Sequence, residues 1–297
     1  FGTEIMNTVY GEIPYDRLDL WRRFCNYYYN CLRDVDRHMM KLIHSLEDTG
    51  QIDNTIIFMI SDHGEMLGQQ GARGKIVSWE ESIRVPTLVY HPDLKDKKLC
   101  NSVISNIDIV PTLLEFTGLS KSELRDKHPE LKGNSYAELV ENVNYDNIRD
   151  KEGHLIHGVQ IIPTVFEVAE KFRHTSLADG FLAKAKAFMS EGKFLPDFTP
   201  PLNYKGVVDK KHKFLRFFSP RQNNIPTNYD ELTKYNAEYQ LYDLENDPFE
   251  MNDLAKDENN RKLLMSMNDK CNRLADKEIG LENHVIHLPG PDWFWTT

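Results

Sequence analysis

A chain of 297 residues, 40% hydrophobic and 28% charged, is long enough to bury a large core in one or two domains. Its net charge of −10 argues against a general nucleic-acid binder, so an anionic ligand would need a local cationic pocket. No apolar run approaches the roughly 20 residues that span a bilayer, and four cysteines without a Cys-x-x-Cys pair suit neither a disulfide scaffold nor a thiolate zinc site. The first residue is Phe1 and no signal peptide is visible. The chain is therefore expected to begin mid-protein, which leaves a secreted, periplasmic or cytoplasmic location open.

Residues 1–16 are turn-rich. Over residues 17–46, Leu20, Phe24, Tyr28, Cys31, Val35, Met39, Leu42 and Leu46 recur at three- and four-residue steps. That predicts an amphipathic helix, with Gly50 just past its end. Asp34, Asp36 and His38 read as a solvated helix face rather than as metal ligands. Residues 55–60 are five-sixths apolar and predict a strand buried on both faces, as in a parallel sheet. Residues 83–91 predict another strand, with Pro86 near its start. Residues 106–118 predict a helix with Asp108 as a cap, Pro111 in the first turn and Gly118 as the stop.

The segment 140–200 is less informative, with helices predicted near 165–173 and 177–191 and a Pro-rich stretch at 195–202. His154 and His157 have helical i, i+3 spacing but read as surface or packed residues rather than as a metal pair. Strands are predicted at 206–208, 213–218 and 239–244, a turn at Asp247-Pro248, and an amphipathic helix over 257–279. No internal repeat or low-complexity tract is present.

The strand at 55–60 ends abruptly in Ser61-Asp62-His63-Gly64. In open α/β sheets chemistry sits at the carboxyl ends of strands, and a carboxylate beside an imidazole can bind a divalent cation. Adjacent strand residues point to opposite faces. Asp62 and His63 can share one ion only if the chain leaves strand geometry at 61–64, which Gly64 makes inexpensive. Gly68, Gly71 and Gly74 let the following loop bring Lys75 back to the same place.

The ordered set Ser61-Asp62-His63-Gly64-Glu65-Met66-Leu67-Gly68, Gly74-Lys75 and Trp79-Glu80-Glu81-Ser82-Ile83-Arg84-Val85-Pro86 resembles the second half of the sulfatase family, within the alkaline-phosphatase-like superfamily. Residues 106–114 (NIDIVPTLL), the weaker Gly133-Asn134-Ser135-Tyr136 with Leu139, and 241–250 (LYDLENDPFE) with 252–255 (NDLA) continue the resemblance in order. It implies an α/β fold: part of a mixed sheet flanked by helices, then a smaller C-terminal antiparallel sheet plus helix. The corresponding units are 1–135 (catalytic α/β part), 136–203 (insertion or linker) and 204–297 (small α+β subdomain).

The resemblance also implies a metal-dependent sulfuric ester hydrolase. Asp62 and His63 would help hold the metal, calcium first, and Lys75 would touch the bound ester. Glu80, Glu81 and Arg84 read as hydrogen-bonding and ion-pairing residues that fix the loop. The family's formylglycine nucleophile arises in a Cys/Ser-x-Pro/Ala-x-Arg motif. None of the cysteines has that context (Cys31 precedes Leu-Arg-Asp) and no Ser-x-Pro-x-Arg occurs. The paired aspartates of the family's first strand are absent too. Formylglycine is therefore expected upstream, in an N-terminal half of the same enzyme that would be this chain's partner, and the chain alone is expected to be inactive. One alternative is a phosphonate monoester hydrolase or phosphodiesterase of the same superfamily, with manganese or zinc. Another is a truncated, inactive binding or structural module. The expected ligand is a small anionic ester, with no nucleic acid, no membrane span, and homo-oligomerisation left open.

Overall fold

The first described element is α1, Leu18–Asp48, 31 residues long, as the apolar spacing predicts. Gly50, at φ 66°, follows its end. The computed structural model describes residues 12–158, 203–219, 225–235 and 238–280, apart from 76 and 95. The helices predicted near 165–173 and 177–191 and the Pro-rich stretch lie outside these residues. α1 has no fully buried residue, and Tyr27, Leu32, Val35 and Leu42 stand exposed along it. Its first turns touch the central loop: the Cys25 thiol donates to the Leu67 carbonyl at 3.8 Å.

Strand β1 is Ile57–Ile60 and β2 is Thr87–Tyr90. They pair antiparallel, Phe58 opposite Val89 and Ile60 opposite Thr87. The expectation of a strand buried on both faces of a parallel sheet is corrected here. Phe58 packs on Phe116 and Tyr136, with ring centres 6.2 and 6.4 Å away. Leu88 and Tyr90, on the other face, are exposed. β2 is also shorter than predicted. Trp79 to Arg84 close into a helical turn, α2 (Glu80–Ile83), and Pro86, which has no N–H to give a ladder, delays pairing until Thr87.

Residues 106–118 form a 3-10 turn (Asn106–Asp108) that runs into α3, Ile109–Phe116. Asp108 closes a capping box with Ser105, and Gly118, at φ 97°, ends the helix. Three short helices follow: α4 (Lys121–Lys127), α5 (Ala137–Glu141) and α6 (Ile148–Glu152). The buried Asp108 carboxylate is gripped by Arg149 from both Nε (2.5 Å) and Nη2 (2.6 Å). It also accepts the backbone N–H groups of Ser105 and Asn134. Arg149 Nη1 reaches Glu278 at 3.1 Å, which joins α3, α6 and the last helix.

The C-terminal sheet has order β3-β4-β5-β6, all neighbours antiparallel. Its strands are His154–Gly158, Asn203–Val208, His212–Phe218 and Glu238–Asp243. A helix α7, Tyr229–Tyr235, precedes β6, and α8, Arg261–Glu278, closes the described chain. α8 covers one face through Leu264, Met267, Cys271 and Leu274 on Val207, Phe214 and Leu241. Each such buried side chain stabilises by roughly 1.5–3 kcal/mol. The other face, with Ile156, Tyr204, Val208 and Leu215, packs against Ile83 of α2, and Trp79 lies beside Tyr242 at 6.1 Å. The sheet therefore sits directly behind the turn that follows β1.

Candidate functional site

The chain leaves strand geometry after Ile60. The Ser61 hydroxyl donates to the His63 carbonyl at 2.8 Å, and Asp62 Oδ1 accepts the His63 backbone N–H at 2.9 Å. Asn106 Nδ2 donates to the Ser61 carbonyl at 3.2 Å. These local bonds bring two side chains that would diverge on a strand to one side: Asp62 Oδ2 lies 3.3 Å from His63 Nε2. Gly64 fits by close approach. Its N–H donates to the Ser82 carbonyl at 2.8 Å, and a Cβ there would lie 2.0 Å from the Glu81 carbonyl oxygen.

The loop from Glu65 to Gly74 is bonded back on itself. Met66 N–H donates to the Gly74 carbonyl at 2.9 Å and Gly68 N–H to Ala72 at 2.8 Å. Glu65 Oε1 accepts the Gly74 N–H at 2.6 Å, and Met66 is fully buried. Gly68, Gly71 and Gly74 take positive φ, which admits the reversal with no Cβ penalty. Lys75 is returned to the site by this closure. Its Nζ donates to His63 Nε2 at 2.6 Å. The imidazole Nδ1–H donates to the Gly64 carbonyl at 2.9 Å. Nε2 is then the lone-pair nitrogen, which can coordinate a metal or accept from an ammonium.

The three residues singled out by sequence, Asp62, His63 and Lys75, thus meet at one point on the surface. The Asp62 carboxyl is held below its ordinary range by the His63 backbone N–H, against desolvation, with the imidazole and the Lys75 ammonium adding to the effect. Its side chain is 83% exposed, so this open edge is well solvated. One carboxylate oxygen and one imidazole lone pair facing the same space suit a divalent cation, and a lysine ammonium is already drawn there. Among the described residues no group of three His, Cys, Asp or Glu gathers at one point. Asp62 and His63 offer two donor groups, against the roughly four to eight that a divalent-cation shell takes.

His154 and His157 belong to a strand, β3, not to a helix as their spacing suggested. Three steps along a strand reverse the face, so the pair cannot share an ion. Of the residues expected to fix the loop, Glu80 does so through Lys213 and Glu250, while Glu81 contributes its backbone carbonyl beside Gly64. Sequence reasoning gave no role to Glu65, which staples the loop, or to Asn106, which braces Ser61. Both lie inside the motif blocks, which was the available signal. Glu250, which ends the 241–250 block, carried the same signal; Lys213 carried none.

The family model described as Sulfatase matches residues 6–119. An arylsulfatase of Clostridium perfringens is 33% identical over 121 residues, which is 39% of this chain and 24% of that protein. A structure solved with its substrate D-glucosamine-2-N,6-O-disulfate superposes with a TM-score of 0.56 at 20% identity, covering 85% of this chain and 40% of that one. A phosphonate monoester hydrolase of Agrobacterium radiobacter gives 0.56 at 21%, covering 84% and 41%. The chain shares their fold and spans less than half of the length of these relatives.

Proposed function

We propose, from the premise that residues 6–119 are sulfatase-family sequence, that this chain is the C-terminal part of a metal-dependent hydrolase of sulfate esters. The observation that carries the reading is the convergence of Asp62, His63 and Lys75. Asp62 and His63 would hold a divalent cation, calcium first among hard oxygen-preferring ions. When bound, such a cation offsets ester charge and polarises the reacting oxygen. His63 keeps its Nε2 lone pair outward because Nδ1–H is committed to Gly64. Lys75, on a flexible stem, is a point charge suited to an ester oxygen that gains charge in the transition state. The remaining cation donors and the formylglycine nucleophile belong to an N-terminal half. The exposed apolar residues of α1 and the open face of β1–β2 suit a cover of that kind. The units 1–135, 136–203 and 204–297 are proposed with it, β3 of the second joining the sheet of the third.

A phosphonate monoester hydrolase with manganese or zinc is the second reading, favoured by a structural neighbour that matches this fold equally well. The test is turnover of paired aryl sulfate and aryl phosphonate substrates by the longer polypeptide containing this chain, with metal analysis. Faster sulfate hydrolysis is expected. Preference for the phosphonate selects the second reading, and no turnover of either points to a non-catalytic module.

A further inference from the structure

Lys213 lies on the face of β5 away from α8, with a fully buried side chain. Its Nζ is 2.7 Å from Glu250 Oε1, also fully buried, and 3.1 Å from Glu80 Oε1. The second oxygen of Glu250 accepts the backbone N–H of Glu80 at 2.7 Å. One ammonium and one carboxylate are thus fully buried, with the carboxylate of Glu80 partly buried beside them, where α2 meets the C-terminal sheet. Burying such charges is expensive. Apolar residues of like volume are often as stable or more so, so the cluster is poorly explained by stability alone.

Glu250 adds an independent sign of constraint. It is not glycine, yet it sits at φ 54°, a strained conformation that persists only where its surroundings enforce it. Asp247 enforces it here: its backbone carbonyl accepts from Glu250, and its carboxylate oxygens accept from the Met251 and Asn252 N–H groups at 3.1 and 2.7 Å. The result is a carboxylate aimed inward at Lys213 and at the first residue of α2.

α2 in turn seats the turn after β1. Its Ser82 carbonyl takes the Gly64 N–H, and its Glu81 carbonyl blocks any Cβ at Gly64. A second tie runs in parallel, from Gln70 Nε2 to the Phe249 carbonyl at 2.8 Å. A continuous series of contacts therefore leads from Lys213 and Glu250, through Glu80 and α2, to Gly64 and the neighbouring Asp62 and His63.

We propose that Lys213 and Glu250 are positioning residues: through Glu80 and α2 they fix the turn that sets the Asp62–His63 pair. The cation arm of this inference rests on the function proposed above; the geometric arm does not.

The test is hydrogen exchange across 61–66 in the longer polypeptide containing this chain, read against exchange in α8, with Mn2+ titration of the same proteins. Lys213→Met alone would strand a buried carboxylate, so the double variant Lys213→Met/Glu250→Gln is used. Glu80→Gln, at a less buried position, is the second variant. The double variant is expected to raise exchange at 61–66 about tenfold with α8 unchanged, and Glu80→Gln about threefold. Weakening of Mn2+ binding should follow in the same order. Unchanged exchange at 61–66 in a folded variant overturns the proposal. So does an equal rise in α8, which would mark a purely structural role. If the double variant does not fold, Glu80→Gln decides by the same criteria. If wild type and Asp62→Ala bind Mn2+ alike, the cation reading fails, while exchange still judges the positioning.

Discussion

Gly64 is the residue on which the site's geometry turns. A methyl group there would meet the Glu81 carbonyl oxygen at 2.0 Å, and that atom is backbone rather than a movable side-chain end. Gly64→Ala is expected to cost about 1–3 kcal/mol by overpacking, read as a lower urea midpoint, with exchange accelerating first at 61–66. Asp209, in the β4–β5 turn, makes a different prediction. Burial raises its carboxyl, but the Lys270 ammonium and the His212 and Lys211 N–H groups outweigh that and hold it below the ordinary aspartate value. A depressed carboxyl stabilises the fold above its unfolded value and loses that contribution as pH falls through the folded one. Asp209→Ala should therefore cost about 1–3 kcal/mol at pH 7. The gap to wild type in urea unfolding should close as pH drops below the ordinary aspartate value and through the depressed folded one. At this scale the sequence made Asp62, His63 and Lys75 legible because all three lie in one short motif. The Lys213 contacts were not legible, since 133 residues separate it from Glu80 and nothing local marks a lysine as buried.

Among the elements, those with a strong period or a stop signal were readable: α1, α3 with Gly118, and the strands β4, β5 and β6. What could not be read was the partner. β1 has the apolar run of a strand covered on both sides, but here it meets an antiparallel neighbour and leaves Leu88 exposed. β3, His-Leu-Ile-His-Gly, is too short and mixed to announce itself. It becomes a strand because Ile156 meets Gly206, where β4 has no side chain. The tie between α3, α6 and α8 is likewise non-local, and it yields a prediction. Arg149→Met leaves the Asp108 carboxylate buried without its cation, at about 3–5 kcal/mol. Adding Asp108→Asn should restore part of that loss. Urea unfolding of the single and double variants checks it, and a double variant less stable than Arg149→Met would argue against the charge explanation.

For the molecule as a whole, two donors and a lysine meet at the exposed end of β1, while apolar side chains on α1 and β2 remain uncovered. The described part carries no nucleophile with the family's motif. The purified 297-residue chain is accordingly expected to show no turnover of an aryl sulfate above buffer, and contaminant-free turnover would contradict the division proposed for the active site. The most direct measurement is bound metal and turnover in the longer polypeptide for Asp62→Ala, His63→Ala and Lys75→Ala. Asp62→Ala and His63→Ala are expected to lose metal and activity together. Lys75→Ala should keep its metal while kcat falls about 10²–10³-fold, as for loss of a transition-state contact. Full metal occupancy and near-normal turnover in Asp62→Ala would show that Asp62 is only a turn residue, and the site assignment would be wrong.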